Sequence, residues 1–536
     1  MTDISLNNIA LSQALDLYKE GSLDEAQQLF LSVLNNEPEN PDAIYFMAMI
    51  DHQGGRSEVA EHRASELVRL KPKDGKALNL LGTILMSQGK TTDALPCFEK
   101  GIKHNETDPV LRVNAAICNI GAGKPEASIE HCKKAIDLNP DYPNAYNILG
   151  NAYMGSNDME SAVKSFQQVL EKHPDFHDAR FNLGVALFNL DRYDEALECF
   201  DTVLSQSPEN THALTRKAEI FLARNELQAA GPFFEQAIKS NPQFSPAHAG
   251  MGKLFQRLQK HNEALSHFKR AIELNPDNIE ALVYTGDSFR KLDQTEAAAA
   301  AYQDALSIDP DNVYAKFHLA AVLDTPPPAK PDGDYVKHLF DALADTFDDS
   351  LGSVEYNAPE QLIGLARQLL SEDKLANLDI LDMGCGTGLN GLQFKPIAST
   401  LQGIDISPRM LSVANQRGIY DDLEENDLLS ALVRHQNDTD LAVSADTFPY
   451  FGDLESIFMA VVSALRDSGL FMFTVETHDN EDDYLLGQTA RYSHSRNYVE
   501  ELAKRRGLEI LACNDTVYRK ESGADVKGLI VALRKS

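Results

Sequence analysis

Residues 378–391 read LDILDMGCGTGLNG, and this stretch decides the fold of the C-terminal part of the chain. A short apolar run ends at Asp382, and Gly384, Gly386 and Gly388 follow at alternate positions. An apolar run that leads directly into a glycine-rich segment predicts a buried strand followed by a tight loop. Glycines in that loop allow the backbone to turn sharply and to approach a ligand closely. The stretch therefore predicts a ligand site at the carboxyl end of a strand.

Short apolar runs and helical periodicity alternate on both sides of this stretch. The strand-like runs are Leu378–Leu381, Leu401–Ile404, Leu441–Ser444, Leu470–Val475, Leu508–Ala512 and Gly528–Leu533. The helical segments are Pro359–Leu370, Pro408–Gln416, Leu454–Leu465 and Ser495–Arg506. This alternation predicts a doubly wound, Rossmann-like α/β sheet. Because no helix separates the last two strands, we expect that edge of the sheet to be antiparallel.

A period of 34 residues governs the first three-fifths of the chain. Prolines recur at that spacing, at Pro140, Pro174, Pro208, Pro242, Pro276 and Pro310. A small residue stands twelve positions before each of these prolines and usually an aromatic residue eight positions before, as Ala162 and Phe166 do for Pro174. The pattern closely resembles the tetratricopeptide repeat and covers nine repeats over residues 7–312. It departs from the family in one respect, since the chain contains no tryptophan.

The resemblance predicts a multidomain chain that begins with an all-α solenoid. Each repeat is two antiparallel helices that cannot bury their apolar face alone, so neighbouring repeats stack and form a concave surface. We expect solenoid and capping helix over residues 7–323, with the cap at Val313–Leu323, a stiff proline-rich linker over 324–334, and the α/β domain over 335–536. The predicted inward-facing side chains suit a peptide or protein partner, and they are Tyr45, Asn79, Asn147, Asn151, Phe181, Phe188 and Glu219.

Composition excludes several classes of function. A formal net charge of -32 argues against nucleic acid, because phosphate neutralisation needs clustered Lys and Arg. The six cysteines show no Cys/His metal spacing, so we expect no metal site and read them as reduced thiols of a cytoplasmic protein. The N-terminal residues lack the basic region and the apolar run of a signal peptide, and no run of the chain is apolar enough for membrane insertion.

Two acidic residues extend the predicted ligand site. Asp405 ends the second predicted strand, where a carboxylate can accept hydrogen bonds from both hydroxyls of a ribose. Asp427 follows the place where a third strand would end, and it could accept from an adenine amine. Residues 386–391 also satisfy the dinucleotide pattern GxGxxG, so an NAD-linked oxidoreductase remains an alternative. The order acid-x-Gly-x-Gly-x-Gly directly after the strand favours S-adenosylmethionine.

With these motifs, the region 335–536 resembles the class I S-adenosylmethionine-dependent methyltransferases. Together with the repeats, it resembles a bacterial group of methyltransferases that carry tetratricopeptide repeats. The narrower resemblance rests on LFDALADTFD at 339–348, ADTFPYFGDL at 445–454 and ARYSHS at 490–495. It implies S-adenosylmethionine as the cofactor and methyl transfer as the reaction.

The resemblance also implies roles for individual residues. The loop from Asp382 to Gly388, which includes Gly384, Cys385, Gly386 and Thr387, would surround the methionine part of the cofactor. The resemblance further implies that Asp405 holds the ribose, Ile406 packs on the adenine, Asp427 and Leu428 border its edge, and Asp446 lies near the sulfonium. Phe347 stands where related enzymes often have Tyr, so one hydroxyl contact to the cofactor is lost or supplied elsewhere.

The candidates for acid–base catalysis follow the fifth predicted strand. Tyr492 and His494 lie in a segment that could close over the site, and Glu476 lies at the tip of that strand. The alternative for Tyr492 and His494 is structural, with Ser495 as the N-cap of the next helix.

Three functions remain open from the sequence. The first is a methyltransferase whose repeats recruit a protein or peptide acceptor or partner. The second is a methyltransferase that acts on a small molecule or glycan, with the repeats serving assembly. The third is a repeat scaffold that carries a catalytically silent methyltransferase-like domain.

Overall fold

The computed structural model describes residues 3–323, 330–331, 333–371, 375–487, 489–521 and 523–536. Most of the linker expected at 324–334 lies outside the described residues. The chain divides into two compact units, Met1–Leu254 and Phe255–Ser536. The division falls inside helix α15 (Ser245–Arg257) and not at the expected linker, so the domain limits drawn from the sequence stay a prediction. Within the described part of the chain, no helix has the length and apolar character of a membrane span.

The first unit is built from antiparallel helix pairs. Its helices are α1 (Asp3–Lys19), α2 (Leu23–Asn36), α3 (Pro41–Gln53), α4 (Ser57–Leu70), α5 (Gly75–Ser87), α6 (Thr91–His104), α7 (Pro109–Gly121), α8 (Pro125–Leu138), α9 (Pro143–Gly155), α10 (Met159–Lys172), α11 (His177–Asn189), α12 (Tyr193–Gln206), α13 (Thr211–Ala223), α14 (Leu227–Ser240) and the first residues of α15. The turn inside each pair holds one residue with positive φ, and these residues recur every 34 positions, from Gly21 and Gly55 to Asn157. Glycine and asparagine tolerate that left-handed conformation better than other residues.

Small residues and rings make the pairs pack as the repeat pattern predicts. Phe98 and Phe166 are fully buried, and each ring lies against a glycine of the preceding helix. A Cβ added at Gly150 would lie 2.4 Å from Cε1 of Phe166, and one added at Gly82 would lie 2.6 Å from Cε1 of Phe98. The close approach of the two helices therefore depends on the absence of a side chain at these positions.

The second unit begins with the remaining repeat helices. After α15 come α16 (His261–Leu274), α17 (Ile279–Lys291), α18 (Thr295–Ile308) and α19 (Val313–Leu323), and α19 has the bounds expected for the capping helix. A buried carboxylate ties three of these helices together, because Asp287 of α17 accepts hydrogen bonds from the hydroxyls of Tyr302 at 2.7 Å and Tyr314 at 2.9 Å. Three further helices precede the sheet: α20 (Gly333–Leu343), α21 (Phe347–Ser353) and α22 (Ala358–Leu369).

A mixed sheet forms the rest of the second unit. Its strands are β1 (Leu378–Met383), β2 (Ala398–Asp405), β3 (Asp422–Glu425), β4 (Thr439–Ser444), β5 (Leu465–Thr477), β6 (Tyr484–Leu486), β7 (Tyr492–His494), β8 (Leu508–Glu521) and β9 (Ala524–Lys535). The helices between them are α23 (Leu389–Phe394), α24 (Pro408–Gln416), α25 (Leu428–Leu432), α26 (Glu455–Ala464) and α27 (Arg496–Arg505). Strands β3-β2-β1-β4-β5 lie side by side and parallel, and β9 pairs antiparallel with both β5 and β8.

The sheet confirms the predicted α/β class and its antiparallel edge. Both faces of its centre are buried, since Phe471 and Phe473 pack with α26 and α27 while Leu470 and Met472 pack with α22. Three short strands, β3, β6 and β7, are not among the strands that the apolar runs predict. Strand β3 reads DLEE and carries no apolar run, and β6 and β7 are three residues long.

Candidate active site

The glycine loop leaves β1 at the centre of the sheet, where the first crossover begins. The amides of Gly384 and Cys385 both donate to the carbonyl of Ile404 in β2, at 2.9 and 3.0 Å. Gly384, Gly386 and Gly388 all have positive φ, at 71°, 53° and 93°. Gly384 has a second constraint, because an added Cβ would lie 2.3 Å from Oγ1 of Thr447. The sequence pattern therefore reflects backbone conformation at three positions and close packing at one.

Asp382 lies beneath the loop and supports it. Its side chain is fully buried and accepts hydrogen bonds from Nδ2 of Asn390 and from the hydroxyl of Tyr420, both at 2.7 Å. Burial raises the pKa of this carboxyl to about 6. Asp382 does not line the cavity described below. The structure thus places it as an anchor between β1 and α23, while the cofactor contact expected from the sequence stays a prediction.

Asp405 ends β2 and lines the cavity. One carboxylate oxygen accepts from the amide of Gly386 and the other from the amide of Ser407, each at 2.9 Å. Burial raises the pKa of Asp405 to about 6, and the backbone amides partly oppose that rise. A carboxylate has about four acceptor positions, so these two bonds leave capacity for the hydroxyls of a ribose.

Asp427 and Leu428 border the same cavity beyond β3. Asp427 is the N-cap of α25, where its Oδ1 accepts from the amides of Leu429 at 3.1 Å and Ser430 at 3.2 Å. Its Oδ2 lies 3.5 Å from Nζ of Lys330 in a partly exposed ion pair. Asp427 therefore caps a helix, and its carboxylate still lines the cavity.

The cavity has a volume of about 310 Å³ and runs along the carboxyl edge of the parallel strands. The loop residues Cys385 and Thr387 line it, and so does Ile406. Helices α20 and α21 cover it with apolar side chains, which are Val336, Phe340, Leu343, Phe347 and Leu351. The sequence marked this segment as a resemblance motif without assigning it the role of a cover.

An ion-pair network fastens α21 to the glycine loop. The hydroxyl of Thr387 donates to Oδ1 of Asp348 at 2.6 Å. Arg417 forms an ion pair with Oδ2 of Asp348, and its Nε donates to the carbonyl of Thr387 at 2.5 Å. The cover over the cavity is therefore held by contacts to the loop itself and not only by apolar packing.

A cluster of charged side chains lies where β4, β5 and β8 end, and we call it the arginine cluster: Asp446, Glu476, Arg491 and Arg519. Arg491 is ion-paired with both Asp446 and Glu476, and Nη2 of Arg519 lies 2.5 Å from Oε1 of Glu476. Asp446 has a positive φ of 57°, and burial raises the pKa of its carboxyl. Burial also acts to raise the pKa of Glu476, but the two guanidiniums hold it below its usual value. Asp446, Arg491 and Arg519 line the cavity. Sequence reasoning missed both arginines.

The acid–base role of Tyr492 and His494 stays a prediction, and the contacts that the structure gives both residues are structural. Neither residue lines the cavity. Tyr492 is fully buried against Phe317 of α19, and Nε2 of His494 lies 2.9 Å from the carbonyl of Gly452. Burial lowers the pKa of His494 to about 4, so its ring is neutral near pH 7. The N-cap that the sequence offered as the alternative is present, because the hydroxyl of Ser495 caps α27 at the amide of Tyr498.

Glu476 also lies outside the cavity lining, although its two partners line it. A carboxylate that is bonded to two guanidiniums and has a lowered pKa is a weak base. Its place at the tip of β5 agrees with the sequence, but its contacts are those of a positioning residue.

The residues around the cavity fit S-adenosylmethionine. Asp405 offers unused acceptor positions to a ribose, and Ile406 and Leu428 offer apolar surface to an adenine ring. A Cβ built at Gly386 meets only Cε1 of Phe347, at 3.9 Å, so the loop backbone is open toward the cavity. A polar group, an apolar slot and exposed backbone in one concave site match the usual composition of a cofactor pocket.

Comparisons with known proteins agree with this geometry. A family model described as a methyltransferase domain matches residues 380–469. Models of the tetratricopeptide repeat match residues 48–109, 148–198, 186–243 and 250–313, and a second repeat model matches 122–157. The chain therefore carries tetratricopeptide repeats fused to a methyltransferase domain, which implies S-adenosylmethionine as the cofactor of that domain.

Similar proteins match only parts of the chain. A Saccharomyces cerevisiae protein named "Probable S-adenosylmethionine-dependent methyltransferase CRG1" is 28% identical over 30% of this chain and 58% of its own length. The malonyl-[acyl-carrier protein] O-methyltransferase of Acetivibrio thermocellus is 31% identical over 20% of this chain and 40% of its own length. The solved Cut9-Hcn1 assembly of the APC/C matches with a TM-score of 0.41 and 14% identity, over 57% of this chain and 60% of that one. The chain thus spans less than two-thirds of the length of these relatives.

Proposed function

We propose that this protein is an S-adenosylmethionine-dependent methyltransferase whose repeats recruit a protein or peptide acceptor or partner. One observation carries the enzymatic part of the proposal. The glycine loop after β1 and the carboxylate of Asp405 after β2 line one cavity, and Gly386 donates its amide to that carboxylate at 2.9 Å. This is the arrangement that binds a ribose beside a close-approaching backbone.

The cofactor supplies an electrophilic methyl group, so the protein's task is to position the reactants and to exclude water. Asp405 would hold the ribose, Ile406 and Leu428 would pack on the adenine, and Asp427 would border its edge. The backbone of the loop, at Gly384 and its neighbours, would surround the methionine part.

Water exclusion is the function we assign to α20 and α21. Five apolar side chains of these helices line the cavity, and Asp348 links α21 to the loop through Thr387 and Arg417. The nearness of Asp446 to the reacting end, expected from the sequence, is supported by its place in the cavity lining beside Thr447.

The recruiting role is proposed for the repeats within residues 7–323, and we retain 335–536 as the catalytic domain. Asparagine side chains on the first helices of neighbouring repeats form hydrogen bonds with each other. Nδ2 of Asn114 donates to Asn79 at 2.8 Å, and Nδ2 of Asn182 donates to Asn147 at 3.1 Å. Amides offer both donors and acceptors, which suits the backbone of an extended peptide. The six unpaired cysteines support a cytoplasmic location.

Calorimetric titration of the full chain with S-adenosylmethionine, S-adenosylhomocysteine and NAD tests the cofactor. We expect micromolar binding of the first two and none of NAD. Asp405→Ala should weaken binding of both by about tenfold or more, because hydrogen bonds to a charged group contribute about 1.5–3 kcal/mol. Asp467→Ala, at an exposed site in β5, is the matched control and should bind normally. Equal affinity in the two variants would contradict the proposal.

Labelled methyl transfer in a cell lysate separates the three functions that the sequence left open. Labelling of a macromolecule that falls in an Asn147→Ala/Asn182→Ala variant, with unchanged cofactor affinity, supports recruitment by the repeats. Labelling of small molecules alone would favour the second function. Cofactor binding without any labelled product would favour a silent domain.

A further inference from the structure

The arginine cluster places two guanidiniums in the wall of a cavity that already contains the expected cofactor groups. The side chains of Arg491 and Arg519 are only 12% and 10% exposed, and both line the cavity. Cofactor binding as proposed above uses neither of them. Buried guanidiniums beside a ligand cavity are suited to bind planar anions, because their N–H groups form a rigid fork.

Each nitrogen of the Arg491 guanidinium already has a partner. Its Nε and Nη2 are ion-paired with Glu476 and Asp446, and its Nη1 donates to the hydroxyl of Tyr450 at 2.9 Å. Its guanidinium carbon also lies 5.0 Å from the centre of the Tyr450 ring. These contacts fix the guanidinium and leave it as a rigid wall of the cavity.

Arg519 differs in one respect. Its Nη2 binds Glu476 at 2.5 Å, and its Nη1 reaches Glu521, which is more exposed, at 3.4 Å. Its Nε is buried and has no hydrogen-bond partner within the described residues. A buried donor without a partner is unfavourable, so a ligand oxygen that met this N–H would be stabilised.

The other residues of the cavity wall indicate which protonation state the methyl acceptor needs. Among the described lining residues there is no histidine, and the one lysine, Lys330, is paired with Asp427 beyond β3. Asp446 accepts from Arg491 and from the hydroxyl of Tyr518 at 3.0 Å. An acceptor that is already deprotonated near pH 7 would need no base from the protein, and a carboxylate meets that condition.

We propose that the methyl acceptor carries a carboxylate, that Arg519 binds this carboxylate beside Arg491, and that the methyl group is transferred to its oxygen. The inference deepens the proposed function and rests on it. An oxygen lone pair forms the new O–CH3 bond while the S–CH3 bond of the sulfonium donor breaks, and its electron pair stays on sulfur. The products are a methyl ester and a neutral thioether, and no proton is released.

Binding of a simple carboxylate tests the site without turnover. Hexanoate is titrated into the full chain saturated with S-adenosylhomocysteine, and the uncharged hexanamide serves as the matched probe. We expect hexanoate to bind and to lose about tenfold or more of its affinity in Arg519→Gln, because one charge-assisted contact is removed. Arg534→Gln, which removes a surface partner of Glu509, is the control and should bind as the unaltered protein does. Equal hexanoate affinity in both variants, or equal binding of hexanamide, would overturn the proposal.

Two readouts keep this test separate from that of the proposed function. Affinity for S-adenosylhomocysteine should be unchanged in Arg519→Gln, which also shows that the variant is folded. If S-adenosylhomocysteine does not bind at all, the proposed function fails. The titration of hexanoate into the cofactor-free chain then still tests whether Arg519 binds a carboxylate. The transfer step is tested by treating the labelled lysate product with alkali: methyl esters release volatile labelled methanol, and label that resists alkali would overturn transfer to a carboxylate.

Discussion

Replacement of Gly384 by alanine should be far more harmful than replacement of Gly386, although both glycines belong to the same loop and both have positive φ. The φ angles are 71° and 53°. An alanine in this left-handed region costs about 1–2 kcal/mol relative to glycine. The conformational part of the penalty is therefore similar at the two positions.

The steric part differs. A Cβ at position 384 would lie 2.3 Å from Oγ1 and 2.5 Å from Cγ2 of Thr447, whereas a Cβ at 386 would come no closer than 3.9 Å to Phe347. Overpacking of a tight site costs about 1–3 kcal/mol. Gly384→Ala should thus lower the unfolding free energy by about 2–5 kcal/mol, and Gly386→Ala by about 1–2 kcal/mol.

A double-mutant cycle with Thr447→Ala separates the two contributions. That change removes the two closest atoms but leaves Cβ of Thr447 at 2.9 Å from the added Cβ. It also removes the hydrogen bond from Oγ1 to the carbonyl of Met383, at 3.1 Å, so alone it should cost about 1 kcal/mol. In the double variant the steric part should shrink, since only the contact with Cβ of residue 447 is left, and the conformational part should remain. The penalty of Gly384→Ala should then approach that of Gly386→Ala.

Differential scanning calorimetry of the full chain is the appropriate assay. The chain has two compact units and no tryptophan, so a fluorescence midpoint would not isolate the unit that holds the loop. The transition that S-adenosylhomocysteine stabilises identifies that unit. Additive effects of Gly384→Ala and Thr447→Ala, with no coupling, would refute the steric reasoning.

Three further predictions concern other parts of the molecule. Gly150→Ala should destabilise the first unit by about 1–3 kcal/mol in calorimetry, because its Cβ would lie 2.4 Å from the Phe166 ring; an unchanged transition would contradict the packing described. Affinity for S-adenosylmethionine should fall as pH drops below about 6, because Asp405, whose pKa is about 6, then loses its charge. The same raised pKa means that Asp405 stabilises the cofactor-free fold at low pH and that this contribution is lost as pH rises through 6. In calorimetry, Asp405→Asn should remove the pH dependence of affinity and reduce that of stability, to which Asp382, whose pKa is also about 6, still contributes. The His494 ring should stay neutral from pH 8 to pH 5, because burial holds its pKa at about 4. An NMR titration of histidine-labelled protein measures this, and the His494→Asn variant assigns the signal. A titration midpoint near 6.5 would contradict the burial of the ring.

The repeats and the cofactor loop could be predicted from sequence because their signals are local. The 34-residue period sets both the glycine–ring contacts and the positive-φ turns, and each contact joins residues of adjacent helices. Helix α19 matched its predicted bounds for the same reason. Gly384 and Asp405 could be predicted because Gly384 directly follows β1 and Asp405 ends β2, so a short segment of sequence indicates both the backbone conformation and the position in the sheet.

The arginine cluster could not be predicted in this way. Arg519 meets Glu476 across 43 positions of sequence, and Arg491 meets Asp446 across 45. No period or motif connects these pairs, since they meet only at the ends of β4, β5 and β8, and β9 lies between β5 and β8 in the sheet. Tyr492 was assigned to the cavity because its segment follows β5, but alternation along the chain turns Arg491 to the cavity and Tyr492 to the opposite side.

This alternation connects the part of the cavity wall at Arg491 with the capping helix α19. Tyr492 packs with Phe317 of α19, and Tyr335 of α20 packs on the same ring, with ring centres 5.0 Å apart. Arg491 precedes Tyr492 directly, and α20 supplies part of the apolar cover. A displacement of α19 would therefore move a wall residue and the cover of the cavity together, whereas Asp405 and the glycine loop are held by bonds within the sheet. Partner contacts on α19 are thus expected to act on the acceptor more than on the cofactor.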